Sequence, residues 1–301
     1  MIRLLVATIL STWLVFPALG AGLDAATING AEYRAKLPAD DKVDAVVVKL
    51  QVLLDRVRFS PGEIDGKLGE NAQKALKAFA EAKGLASDKV LTPEIWKALV
   101  GTSGDPVITD YKISRSDAQG PYLEKLPVKM EDMKSLKALS YTSPREAIAE
   151  KFHMSQELLA ALNPGKKFDQ PGETVSVTNA LTKQARLKVG RIEVDKSGQT
   201  VKAFAPSGEL VAFFPATVGS DERPTPAGTL KVVSADANPN YRYNPDYKFK
   251  GVKSKEAFTI SQGRTTRWGR IGLGFHRKAM ASMARLILPG SVNPNPTVAS
   301  G

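Results

Sequence analysis

The chain has no cysteine and only two histidines, His153 and His276, among its 301 residues. The first absence excludes disulfides and any thiol nucleophile, so stability must come from packing and hydrogen bonding. Histidine is scarce enough that His153, at the end of an apolar stretch without a second histidine or an acidic cluster beside it, reads as a surface or core residue. A catalytic or metal role is not expected of it. Acidic residues are missing from the end of the chain. After Gly263 come Arg264, Arg267, Arg270, Arg277, Lys278 and Arg285 with no acid, and these six carry most of the net charge of +11. The remainder is only mildly basic, which argues against a nucleic-acid-binding protein. Long apolar runs are missing everywhere except the start.

That start has the form of an export signal over residues 1–22. Arg3 supplies a positive n-region, residues 4–15 an apolar stretch, and Ala18-Leu19-Gly20 before Ala21 a small-residue cleavage site. The apolar stretch is too short to favour a stable membrane span. The mature chain is therefore expected in the periplasm or elsewhere in the cell envelope. Its length suits two or three domains.

Residues 41–57 place Val43, Val46, Val47, Leu50, Leu54 and Val57 at helical spacing. A glycine-rich loop follows, Phe59-Ser60-Pro61-Gly62-Glu63-Ile64-Asp65-Gly66-Lys67-Leu68-Gly69. A second helix is predicted over 70–83, burying Ala72, Ala75, Leu76 and Phe79. A third starts with Thr92 as N-cap and Pro93 in its first turn, and carries Ile95, Trp96 and Leu99. Leu50, Phe79 and Trp96 are expected to centre a small, self-contained core. Residues 40–101 thus resemble a three-helix peptidoglycan-binding domain, most specifically through Gly62-Glu63-Ile64-Asp65-Gly66 and Gly69. The resemblance implies docking on wall glycan or stem peptide through the loop around Asp65 and Gly66. The simpler account is a tight turn, with the glycines bending it and Asp65 capping it.

Residues 102–139 begin as a linker by composition, with Thr102-Ser103-Gly104-Asp105-Pro106, and stay polar and irregular. Order resumes near Tyr141. Ser143-Pro144-Arg145-Glu146 has the pattern of a capping box with proline at the first helical position. The helix it opens buries Ala147, Ile148 and Phe152. Ser155 caps a second helix that Asn163-Pro164-Gly165 ends, and a short strand over 174–177 follows. Helix, helix, Asn-Pro and a Pro-Gly-Glu strand resemble a LysM-type glycan-binding module over residues 140–180, with its opening strand drifted.

The last region is β-rich. Residues 192–195 and 200–204 alternate apolar and polar around a Lys-Ser-Gly-Gln turn, residues 209–218 form a long apolar strand, and residues 230–233 another. With the Val218-Gly219 to Gly228-Thr229 segment, which contains Pro224-Thr225-Pro226-Ala227, and with residues 247–263, this region resembles the YkuD-type L,D-transpeptidase catalytic domain. The resemblance covers residues 186–262, the first part of that domain. It implies peptidoglycan cross-linking, in which a cysteine thiolate takes the acyl group of a stem tetrapeptide as a thioester and passes it to a diaminopimelate amine. No metal or diffusible cofactor is implied. The peptidoglycan-binding and catalytic domains share one partner, peptidoglycan.

The family's cysteine and histidine, in His-Gly and Ser-His-Gly-Cys-Val-Arg segments, are absent from the written chain. Residues 263–301 are expected to match nothing in the family and to be a disordered basic tail. A helix near residues 278–288 is a weaker possibility. A second frame joins the third base of each codon to the first two of the next. Read so, residues 263–269 can give Pro-Asn-Asn-Pro-Val-Gly, residues 279–286 Tyr-Gly-Ile-His-Gly-Thr-Pro, and residues 294–301 Ser-His-Gly-Cys-Val-Arg. Glycine is forced at the Trp268–Gly269, Met280–Ala281 and Met283–Ala284 junctions, whatever the codons. A one-base deletion near Gly263–Arg264 accounts for this. In this reading no catalytic residue is nameable in the chain as written, and loss of the late strands should leave sheet edges exposed. The expected architecture is an α+β multidomain protein: an L,D-transpeptidase relative that is catalytically incomplete. The alternative is a non-catalytic peptidoglycan-binding protein.

Overall fold

The computed structural model describes residues 23–39, 41–87, 90–136, 139–181, 187–217, 227–237, 240–247, 251–261, 271–275 and 284–286. The export signal and His276 lie outside these residues. No helix among them is long and apolar enough to cross a membrane.

The fold is α+β. Helix α1 (Ala25–Asn29) precedes α2 (Ala45–Arg56), α3 (Glu70–Ala82) and α4 (Pro93–Val100). Helix α2 starts late because Asp44 caps it, accepting from the amides of Val46 and Val47. Val43 therefore falls outside the helix and is exposed. Helix α4 opens as its sequence predicts, with the Thr92 hydroxyl accepting from Ile95 N and Pro93 in the first turn.

Residues 102–139 are not a linker. They contain strand β1 (Ile108–Lys112) and helices α5 (Arg115–Gln119) and α6 (Met130–Met133). Helices α7 (Pro144–Lys151) and α8 (Gln156–Leu162) follow, then strand β2 (Thr174–Thr178), which pairs antiparallel with β1, Ile108 opposite Thr178. Strand β1 is separated from these helices by α5 and α6. The Ser143 box is half made. Ser143 Oγ accepts from Glu146 N, but the Glu146 carboxylate reaches one residue further back, to Thr142 N at 2.7 Å and Thr142 Oγ at 2.6 Å. Asn163 ends α8 and also docks it. Its side chain bonds Ser176 N at 2.7 Å and Ser176 O at 2.8 Å, fixing the helix against β2.

Strands β3 (Arg191–Asp195), β4 (Thr200–Phe204), β5 (Leu210–Thr217) and β6 (Val232–Ala237) lie close to the predicted positions. A separate hairpin joins β7 (Tyr241–Tyr243) to β8 (Phe258–Ile260). Two segments of the basic tail are strands rather than disordered: β9 (Ile271–Phe275) and β10 (Ala284–Leu286). The sheet order is β3-β4-β5-β10-β9-β6, so β10 covers the end of β5, with Leu286 opposite Ala216. This corrects both the helix considered for residues 278–288, at least over 284–286, and the uncovered edge.

The core is continuous rather than one per module. Leu50, Phe79, Trp96 and Ile148 belong to the same buried cluster as Val175, Leu210 and Phe213. Helix α3 packs on β5, and Phe59 meets Phe79 edge-to-face at 5.6 Å. The reason lies at the C-terminal end of α2, where successive residues leave in different directions. Asp55 meets His153, Arg56 reaches Asn179, and Arg58 to Ser60 reach Phe213.

Candidate functional site

The loop after α2 is the candidate wall-contacting element, and Gln51 positions it. This glutamine, 1% exposed, sits among the apolar residues of α2. Its amide nitrogen donates to Asp65 Oδ1 at 2.9 Å and to Lys67 O at 3.0 Å, and its amide oxygen accepts from Gly66 N at 2.7 Å. Asp65 Oδ1 also accepts from Lys67 N at 2.9 Å. The turn-capping account therefore describes these contacts of Asp65. Gly66 is buried, with φ +76°, and an added Cβ would stand 2.7 Å from Val43 Cγ1 and 2.8 Å from Val48 Cγ2. Its carbonyl accepts from Asp44 N at 3.0 Å. A polar Gln inside an otherwise apolar helical run was the available signal for this arrangement, and sequence reasoning passed over it.

Substituting Gly66 tests this packing. Gly66→Ala should destabilise the chain by about 2–4 kcal/mol, from left-handed strain plus overpacking. Gly84→Ala, at φ +64° with nothing within 4 Å, should cost only about 1 kcal/mol. Chemical denaturation of the two variants measures the difference.

The same loop joins the neighbouring helical pair. Ile64 N donates to His153 O at 2.8 Å and Ser155 N to Ile64 O at 2.9 Å, a two-residue parallel bridge. His153 has φ +57° and its Nδ1 lies 2.8 Å from Asp55 Oδ2, with the Asp55 side chain 1% exposed. The histidine is thus a joint between α2 and the α7–α8 turn, in keeping with a structural role. Beside it, the Glu63 carboxyl is raised above its ordinary value of 4.5, first by loss of solvent and then by the charges of Glu157 and Asp65.

A shallow cavity of about 300 Å³ opens on the outer side of α3. Glu70, Gln73, Lys74, Lys77 and Ile95 are among its lining residues. Of its lining residues, Lys74 is engaged with Gly198 O at 2.8 Å.

The described residues of the β-rich region supply a sheet and a hairpin. The chain has no thiol. Among the described residues no group of three His, Asp or Glu side chains could hold a metal. Residues 218–226 and 262–270, which include most of the Pro-Thr-Pro segment and the Gly263 junction, lie outside the described residues.

Comparison with known families gives two matches. Residues 43–99 match the peptidoglycan binding domain, and residues 190–283 match the L,D-transpeptidase catalytic domain, YkuD. The second match continues past Gly263. This corrects the expectation that the tail resembles nothing in the family, and it takes in the strand Ile271–Phe275. No curated protein matches the chain.

Proposed function

From a chain that joins a peptidoglycan-binding domain to the YkuD catalytic domain of the L,D-transpeptidases, a cell-wall cross-linking family, and that has no cysteine, we infer a wall-bound protein of the envelope. It engages glycan strands and stem peptides and does not itself perform acyl transfer. The observation that carries this is the pairing of a wall-binding domain with a transpeptidase sheet in a chain without any thiol. The β1-α7-α8-β2 arrangement, in which two strands pair across two helices, supports a LysM-like second glycan-binding module.

The missing nucleophile has its simplest explanation in the reading frame. The strings containing His-Gly and Ser-His-Gly-Cys-Val-Arg arise in family order from a single frame change near Gly263, with forced glycines at three junctions. The gene sequence around this junction tests the explanation. A second frame lacking His-Gly-Cys-Val-Arg overturns it.

Wall binding is tested on the full chain. It should co-sediment with purified, protein-free peptidoglycan, and soluble peptidoglycan fragments should release it. A chain that stays in the supernatant is not a wall-binding protein.

A further inference from the structure

Tandem wall-binding modules ahead of a catalytic sheet suggest beads on a flexible string, and the linker-like composition near residues 102–106 encourages that picture. The contacts are of another kind. At the first place, the backbone leaving α2 extends the catalytic sheet. Phe213 N donates to Arg58 O at 2.9 Å and Ser60 N to Phe213 O at 2.8 Å, so residues 58–60 act as a short parallel strand on the part of β5 that β10 leaves uncovered. Around this bridge Lys74 Nζ donates to Gly198 O, and Lys202 Nζ to Glu81 Oε2 at 2.8 Å. An added Cβ at Gly62 would come within 3.7 Å of Pro215 Cγ, so the loop itself lies against β5.

At the second place, the α5–α6 excursion reaches the β7–β8 hairpin. Met133 and Leu139 share a buried cluster with Ile260, with Leu126, Met130, Tyr241 and Phe258 packed around it. Glu131 Oε1 on α6 accepts from Lys253 N at 2.5 Å and Ser254 N at 3.2 Å, backbone groups of the connection between β7 and β8. Its own backbone amide, then those of Lys253 and Ser254 and the charge of Lys129, hold the Glu131 carboxyl below its ordinary range.

One attachment between two bodies leaves a pivot; attachments to two separate elements remove it. We propose that the excursion over residues 120–139 is a clamp arm. Together with the 58–60 bridge it gives the β-rich region two attachments to the wall-binding helices, one on β5 and one on the separate β7–β8 hairpin. Glu131 is its positioning residue. The consequence for the wall rests on the function proposed above, while the clamp itself does not. A fixed orientation makes the chain a ruler: stem peptides reach the sheet only at a set distance from the bound glycan.

Because the chain has no native cysteine, introduced cysteines can be spin-labelled uniquely. The exposed sites Lys97 on α4 and Ser207 in the β4–β5 turn report on the bridge, and Ala161 on α8 and Arg242 on β7 report on the arm. Each pair, K97C with S207C and A161C with R242C, should give one narrow distance distribution in the full chain by pulsed electron spin resonance. A broad or multi-peaked distribution for either pair overturns the clamp. Glu131→Ala should broaden the 161–242 distribution and leave the 97–207 distribution narrow. An unchanged 161–242 distribution denies Glu131 its role, and loss of both narrow distributions means that the variant has lost its fold. In that event Glu131→Gln, which keeps an acceptor oxygen, should restore the narrow 161–242 distance. If it does not, Glu131 is not the positioning residue. These distances need no peptidoglycan, so wall binding can fail in the sedimentation experiment while the clamp stands, and the reverse.

Discussion

Incubated with a stem tetrapeptide donor, the chain should keep its own mass. Transfer through a thioester begins with a sulfur anion attacking an amide carbonyl, and no residue here can supply that sulfur. Serine is a poorer nucleophile than a thiolate, and the Nδ1 of His153, the histidine among the described residues, faces Asp55 at 2.8 Å. A chain translated in the alternative frame after Gly263 should instead gain the acyl group of the donor at its new cysteine. Loss of a nucleophile costs on the order of a million-fold in rate, so intact-mass spectrometry should see all or nothing. An acyl adduct on the present chain would disprove its catalytic incompleteness. Absence of an adduct on the frame-restored chain would remove the explanation by frame.

The second large effect concerns stability. Arg56 is 5% exposed at the end of α2. Its Nε donates to Asn179 O at 2.7 Å, and its terminal nitrogens donate to Asp105 O at 3.0 Å, Pro106 O at 2.5 Å and Ser103 Oγ at 3.2 Å. Burial lowers the pKa of its guanidinium below the ordinary value, opposed by the charge of Asp105. Arginine nevertheless stays protonated at any ordinary pH. Arg56→Ala removes every one of these donors, while the exposed Asp105 and Pro106 carbonyls stay open to water and Pro106 O keeps the Asn179 amide at 3.0 Å. Each hydrogen bond to a charged group contributes about 1.5–3 kcal/mol. Allowing for partial entry of water, a loss of about 3 kcal/mol or more is expected in denaturant unfolding. Arg56→Lys, with a single ammonium, should recover only part of it. A loss below about 1 kcal/mol would show that the fan of bonds is not holding residues 103–106 and 179 together.

Local chemistry was the legible part of the sequence. Thr92 with Pro93, Ser155 and Asn163-Pro164 set helix boundaries by bonds within a few residues, and those signals are written contiguously. The alternation of 192–195 and 200–204 around a tight turn is likewise local, and β3 and β4 pair where it says. Illegible was everything made by residues far apart in sequence. Ile108 meets Thr178 across two helices and an excursion, and nothing in Ile108–Lys112 marks that partner. The resemblance to a peptidoglycan-binding domain made the loop with Asp65 and Gly66 a candidate ligand contact, beside the simpler account of a tight turn. Gln51 and the Ile64–His153 pairing show that much of its chemistry is spent inside the molecule. Leu50, Phe79 and Trp96 read as the centre of a closed core until Leu210 and Phe213 are seen to share it.

The small contact between α1 and β1 has its own consequence. Asn29 faces Ile108 as a strand residue would: its Oδ1 accepts from Ile108 N at 2.8 Å and its Nδ2 donates to Ile108 O at 3.0 Å. A sheet of only β1 and β2 presents β1 as a template on which a foreign chain could polymerise. One side-chain amide occupies the first docking position of that template, and the exposed, charged Asp110 and Lys112 make the next positions uninviting. Self-association by strand addition is thereby discouraged at β1 with a single residue of α1, so removing that helix would affect solubility as well as fold.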